Sequence, residues 1–357
     1  MARSVGLTTN RHYSRRVVLT GAAGVAVAGC FPDAGGTWPL KGDSCTDALA
    51  RTPVEGSSAV VEVRSDDAVI VDPTTQRATI VGEVVEKMLA AALLELVPQG
   101  NPWAVLLPDA TAATRIGLKV NVLNEQCATS VALTKALVAS LRTWLGLPAE
   151  NVLVWDRRLD ELQRVGFTDE AVGAKVVGTW RSAADRSGPG YGVPTCGTVA
   201  GKAPRLSKIL TELTDLTINV PVLKTHAICG VTAALKNIYG IIDNPGDYHQ
   251  NLNTALPELY RLPPIRSRLR FTVLDALIAV TTGGTSDPPD AVPRRLVLGA
   301  DPLALDSHAL TLADALRAEK NLGLKPIDRG AMGWLQQAYE QGLGTLEYRL
   351  TELAVPR

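Results

Sequence analysis

The chain has 357 residues, enough for one large or two ordinary domains with a real core, and carries 36 basic and 36 acidic side chains. Residues 1–29 hold four arginines and no acid, so the remainder has 32 basic against 36 acidic groups and no basic run, which argues against a nucleic-acid partner. None of the five cysteines is spaced C-x-x-C, so neither a zinc ribbon nor an iron–sulfur cluster is expected.

The N-terminus reads as a targeting segment and is set aside from fold reasoning. Ser14-Arg15-Arg16-Val17-Val18-Leu19 resembles the twin-arginine export signal, with Val18 where Phe is commoner. Residues 17–28 form an apolar region too short to span a bilayer as a permanent helix. Val27-Ala28-Gly29-Cys30 looks like a lipoprotein signal-peptidase site, which implies lipid on Cys30 at the mature N-terminus. The expected organisation is an export signal at 1–29, a Gly/Pro/Ser/Thr-rich tether at 30–58, an α/β domain at 59–317 and a C-terminal helical extension at 318–357 on the same domain. Such a protein is extracytoplasmic and membrane-anchored, with the twin-arginine export machinery and the membrane as partners. Outside the cytoplasm one disulfide is open to Cys45, Cys127, Cys196 and Cys229, and the sequence does not pair them.

Residues 59–63 form a β-branched strand and 81–96 an amphipathic helix. Residues 115–123 (RIGLKVNVL) form a second core strand, with Lys119 and Asn121 on one face by the period of two. A lysine in a buried strand is costly unless it is paired or lies at a cleft. Thr129 and Ser130 cap a helix over 131–145, which Gly146 ends. A strand over 151–155 stops at Asp156. A helix over 159–165, a strand over 175–179, a long loop or lid over 187–201 and a helix over 206–213 follow.

Residues 217–242 (TINVPVLKTHAICGVTAALKNIYGII) organise the rest. The run 217–223 reads as a buried strand, followed by a loop with Lys224 and His226 and then a helix. On that helix Val231, Ala234, Leu235, Ile238 and Ile242 make an apolar stripe, and Ala233, Lys236, Asn237 and Gly240 a small polar face. Lys236, about two turns in, leans back toward the loop, where helix N–H groups attract anions.

Beyond it, 243–249 is a turn-rich loop with His249. Residues 271–274 form a strand ending at Asp275, and 281–289 (TTGGTSDPP) a glycine loop without the features of a phosphate loop or dinucleotide fingerprint. A strand over 295–298 precedes Asp301, a helix over 303–316 carries Asp306 and His308, and a helix over 330–342 precedes a short polar tail. Strands alternate with helices almost throughout. The expected class is α/β, a mainly parallel sheet flanked by helices, in one or two lobes, with a cleft at the strand C-terminal ends.

The string Lys224-Thr225-His226-x3-Gly230-Val231-Thr232-x2-Leu235-Lys236-Asn237-x2-Gly240 resembles the signature of the domain-of-unknown-function 362 family. Gly117 to Asn121, Asp275 with Gly283-Gly284, and Ala300-Asp301-Pro302-x-Ala304-x-Asp306 resemble its other blocks, over roughly 58–317. His226-x3-Gly230-x5-Lys236 is also similar in spacing to the motif of nickel-pincer lactate racemases. That resemblance implies nickel ligation by the His and cofactor anchoring by the Lys. Ala234-Leu235 replaces a glycine pair of that motif.

The functional expectation is a metal- or cofactor-assisted enzyme of isomerase, racemase or hydrolase type acting on an anionic substrate, with His226, Lys224 and Lys236 as catalytic groups. Lys119, Asn121, Asn237, Gly230, Asp275 and Asp301 would bind substrate or cofactor, with a divalent metal on His226 and His249. His226 would act as metal ligand or general base, and the lysines would stabilise negative charge. The alternatives are a lipoprotein that binds an anionic solute without chemistry, and an interaction protein in which the motif is structural.

Overall fold

The computed structural model describes residues 15–17, 56–320, 327–328 and 330–356. Cys30 and most of the tether lie outside these residues. No described helix is long and apolar enough to cross a membrane.

One sheet of eleven strands runs through the protein. Its strands are β1 (Ser58–Arg64), β2 (Ile116–Lys119), β3 (Val152–Arg158), β4 (Lys175–Trp180), β5 (Leu216–Asn219), β6 (Val222–His226), β7 (Gly230–Thr232), β8 (Leu269–Val280), β9 (Arg295–Gly299) and β10 (Tyr348–Ala354), with Arg15–Val17 as an edge segment. The order across the sheet is β4, β3, β2, β5, β8, β9, β1, β10 and Arg15–Val17. The first five are mutually parallel. β9 runs antiparallel to both its neighbours, and β10 and Arg15–Val17 run parallel to β1. This is the mostly parallel α/β class that the alternation of elements implies, in one continuous sheet rather than two lobes.

Helices cover both faces. On one side α1 (Gly82–Leu96) and α2 (Val131–Leu145) bury Val85, Met88, Leu89, Leu133 and Leu137 against the strands. On the other, α3 (Ala234–Asn237), α4 (Leu252–Arg261), α5 (Pro302–Glu319) and α6 (Gly333–Glu340) contribute Leu235, Leu256, Leu305 and Trp334. Covering both faces explains why β2 and β5 are apolar without alternation. Ser130 caps α2 by accepting the Leu133 N–H at 3.1 Å, and Gly146 ends it at φ 66°, as its sequence implies.

Three segments depart from the sequence reading. Pro221 lacks an N–H and ends β5, and the chain resumes as β6, so Lys224 lies in a strand and not in a loop. β6 turns back into β7, pairing His226 with Gly230, and the expected long helix shrinks to α3 followed by a 3-10 turn at Ile238–Ile241. The polar tail is β10, paired along its length with β1. Part of the expected lid is a hairpin, Tyr191–Pro194 against Arg205–Ser207.

Candidate functional site

The signature segment lies on the C-terminal ends of β2, β3 and β5, and its polar groups divide into a sealed layer and an open recess. The sealed layer is a relay of amides. Lys224 Nζ donates to Asn121 Oδ1 at 2.8 Å, Asn121 Nδ2 to Asn237 Oδ1 at 3.0 Å, Asn237 Nδ2 to Asn219 Oδ1 at 2.8 Å, and Asn219 Nδ2 to the Ala234 carbonyl at 2.8 Å. Asn237 Nδ2 also donates to the Lys119 carbonyl at 3.2 Å. Three segments, β2 with Asn121, β5 and β6, are thereby fastened to α3 through hydrogen bonds whose donors and acceptors alternate without conflict.

Lys119, 1% exposed, does not reach a cleft. Its Nζ lies 2.7 Å from Asp156 Oδ1 and 2.7 Å from the Val120 carbonyl, while Asp156 also accepts the Arg157 and Val122 N–H groups. A Cβ on Gly240 would stand 2.7 Å from Lys119 Nζ and 3.0 Å from Asp156 Oδ1, so this glycine is what lets the ion pair pack under the motif. Where the sequence reading set Lys119 at a cleft, the structure holds it inside the protein against Asp156 and the Val120 carbonyl. Lys224, 2% exposed, has no carboxylate at ion-pair distance among the described residues, and burial pushes its ammonium down to about 8.

The three aspartates are also scaffold. Asp275 accepts the Ser130 N–H at 2.8 Å and the Leu277 N–H at 3.0 Å, and burial raises its carboxyl. Asp301 caps α5 by accepting the Leu303 and Ala304 N–H groups, and it receives Thr345 N–H and Ser58 Oγ. Asp306 accepts the Ala234 N–H at 2.6 Å and the Leu235 N–H at 2.9 Å. The anion that the α3 N-terminus attracts is therefore the protein's own carboxylate, and burial pushes it up to about 7. Asp275 and Asp301 contact backbone and hydroxyl groups of the protein rather than facing a ligand. Gly230 plays a turn role: its φ is 76°, and a Cβ there would meet Met332 Sδ at 2.6 Å.

The open recess holds Lys236, His226, His249 and Tyr239. Lys236 Nζ sits 3.8 Å above the Tyr239 ring centroid, a cation–π contact, and has no ion pair or hydrogen bond among the described residues. Burial pushes it down to about 8. The His226 and His249 rings stack at 6.1 Å, and His249 meets the edge or face of Tyr239 at 5.7 Å. Burial, then the nearby Lys236 and His249, push His226 down to about 4; His249 is lowered by burial and Lys236. The Tyr239 hydroxyl, missed in the sequence reading, is buried with no hydrogen-bond partner among the described residues.

His226 is locked in one tautomer. Its Nδ1 accepts the Ile228 N–H at 3.0 Å and the Cys229 N–H at 3.3 Å, so Nδ1 carries no proton and the neutral ring holds it on Nε2. A ring in that state donates from Nε2. It serves neither as general base nor as metal ligand there, since ligation through Nε2 would leave a proton on Nδ1 facing two donors. The donor set fits the expected divalent metal and the nickel cofactor poorly for that reason. No group of three metal-type ligands occurs among the described residues. What the recess offers is one cation, imidazole nitrogens and a buried hydroxyl without a hydrogen-bond partner among the described residues.

A family model described as "Domain of unknown function (DUF362)" matches residues 116–311. Among solved structures, the crystal structure of a Thermotoga maritima protein, a structural-genomics target, aligns at 12% identity and a TM-score of 0.39, covering 66% of this chain and 60% of that chain. The chain thus spans less than two thirds of that protein's length. No curated protein matches it.

Proposed function

The chain belongs to the domain-of-unknown-function 362 family, and from that premise we propose that it is an exported, membrane-tethered enzyme that binds a small anionic substrate at Lys236 and moves a proton on it, in an isomerase- or racemase-like reaction. The observation that carries this reading is the Lys236 ammonium, desolvated and without a counter-ion among the described residues. The ammonium draws an anion in. Once the ammonium has given its proton to solvent, the free amine, about half of Lys236 near pH 8, accepts a proton from the bound substrate and becomes the cation that stabilises the charge left behind. His226 Nε2–H donates to the substrate's oxygen and stays neutral throughout the physiological range.

Export is supported by the twin-arginine resemblance, the Cys30 context and a disulfide. Cys196 is disulfide-bonded, whereas Cys127 and Cys229 are free and buried. Such bonds persist in oxidising compartments. The partners of this reading are the twin-arginine machinery, the membrane through lipid on Cys30, and the anion.

The test is calorimetric titration of the mature chain with phosphate, acetate and lactate, together with solvent-deuterium exchange into the α-hydrogen of a bound 2-hydroxy acid. Saturable binding and exchange, both lost in Lys236→Met, are expected. Binding without exchange would leave a solute-binding lipoprotein. No binding at all would reduce the motif to scaffold.

A further inference from the structure

We propose that Lys236 is a covalent carbonyl-capturing residue, and that the substrate class of the recess is a carbonyl acid, such as a 2-oxo acid, held as an imine on Nζ. This rests on the anion-binding part of the reading above, names its substrate class, and assigns the Lys236 nitrogen to carbonyl capture in place of proton transfer.

Three lysines lie in the signature layer, and only one is available for this chemistry. Lys119 is neutralised by Asp156 at 2.7 Å. Lys224 is sealed, and its Nζ is engaged with Asn121 Oδ1. Lys236 alone of the three is only partly buried, lies over an aromatic face and has no polar partner among the described residues. Desolvation raises the share of free amine: at neutral to mildly alkaline pH it exceeds that of an exposed lysine by on the order of 10²-fold. The competing nucleophile in the neighbourhood, Cys229, is buried and its thiol is pushed up to about 12, so it stays protonated.

Two further groups near Lys236 are the partners this proposal assigns to the oxygens of a carbonyl acid. His226, whose Nδ1 is tied to the backbone, offers Nε2–H to a carboxylate. The Tyr239 hydroxyl, on the ring that Lys236 covers, is 3% exposed at the residue level and has no partner. A buried hydroxyl in that condition calls for an acceptor or a water, and the oxygen of a carbonyl addition product is such an acceptor.

The step balances without a further reagent. The Nζ lone pair attacks the carbonyl carbon, and the C=O π pair moves to oxygen. The proton leaving nitrogen passes to that oxygen, giving a carbinolamine. The nitrogen pair then expels hydroxide, which takes up the remaining N–H proton and leaves as water. One amine and one carbonyl give one imine and one water, with no change of oxidation state.

The experiment is reductive trapping on the full mature chain. Protein is mixed with pyruvate or glyoxylate at pH 8, quenched with borohydride, which delivers hydride to the C=N carbon, and mapped by peptide mass spectrometry. The expected result is a reduced adduct on Lys236, at least about tenfold above the mean of the other lysines, and none on Lys224. Lys236→Arg should lose the adduct, and phosphate and acetate binding by the wild-type chain is measured in parallel as the control for the anion site. Uniform labelling of surface lysines, or an unlabelled Lys236 in a protein that binds simple anions, overturns the imine and leaves the anion site intact. Failure to bind any anion, with no adduct, overturns both readings together.

Discussion

Asp306 Oδ1 accepts the backbone N–H of Ala234 at 2.6 Å, across 72 residues of sequence, and this contact fixes where the signature helix begins. With the second bond to Leu235 it occupies the helix terminus that an external anion would otherwise use. Replacing Asp306 by Ala should cost about 1–3 kcal/mol of unfolding free energy in urea, since two buried N–H groups lose their acceptors. The pH signature is distinctive. The folded-state carboxyl, near 7, lies above its unfolded value, so the native state holds its proton more tightly and stability contributed by this group falls as pH rises from about 4 to about 7. The melting-temperature advantage of wild type over Asp306→Asn should therefore shrink over that window.

The Lys119–Asp156 pair is structural, and its removal should show in stability rather than in ligand affinity. Asp156→Asn or Lys119→Met strands a buried charge or its partner, and a loss of about 3–5 kcal/mol is expected from chemical denaturation. Gly240→Ala should destabilise as well, by about 1–3 kcal/mol, because the added methyl meets Lys119 Nζ at 2.7 Å. Anion affinity of the folded fraction should stay unchanged in the milder of these variants.

His226 should remain neutral well below pH 6. Its folded value, about 4, lies below the unfolded value, so the unfolded state gains the proton first and stability from this group is lost as pH falls from about 6.5 to about 4. Nitrogen-15 NMR of the imidazole should show protonated Nε2 and unprotonated Nδ1 at pH 7. Histidine→glutamine substitution at 226 should remove this acid sensitivity. A ring that titrates near 6.5 would contradict the burial and the Lys236 repulsion that lower it.

Thiol accessibility offers a separate check. Cys127 and Cys229 are buried and free, so a thiol reagent should react with them only after unfolding. Non-reducing peptide maps should show Cys196 in a disulfide.

Much of the architecture could be read from the chain because it depends on local signals. The apolar runs of β2 and β5, the Ser130 cap and the Gly146 stop are written in adjacent residues. The truncation of the signature helix could not be read, because the residues that decide it are Pro221, the β6–β7 pairing and an aspartate on α5. The tail at Tyr348–Ala354 lacks strict alternation and becomes a strand through its partner β1. For the site, the structure brings Lys236, His226 and His249 together around Tyr239. Lys119 and Asp275 look alike in sequence to ligand-facing groups at strand ends. Only the partners Asp156, Ser130 and Leu277 show them to be internally satisfied. Tyr239 lies in the motif, and its one available signal was its position three residues after Lys236.

The account stands on Lys236 as the charged anchor of the recess, and the direct measurement is anion affinity against pH by isothermal titration calorimetry. Affinity for acetate or phosphate should hold level from pH 5 to 7, corrected for the anion's own titration. It should then fall by about tenfold per unit above pH 8 as the ammonium deprotonates, and be absent in Lys236→Met. Affinity that ignores pH through 9, or survives Lys236→Met, would contradict it.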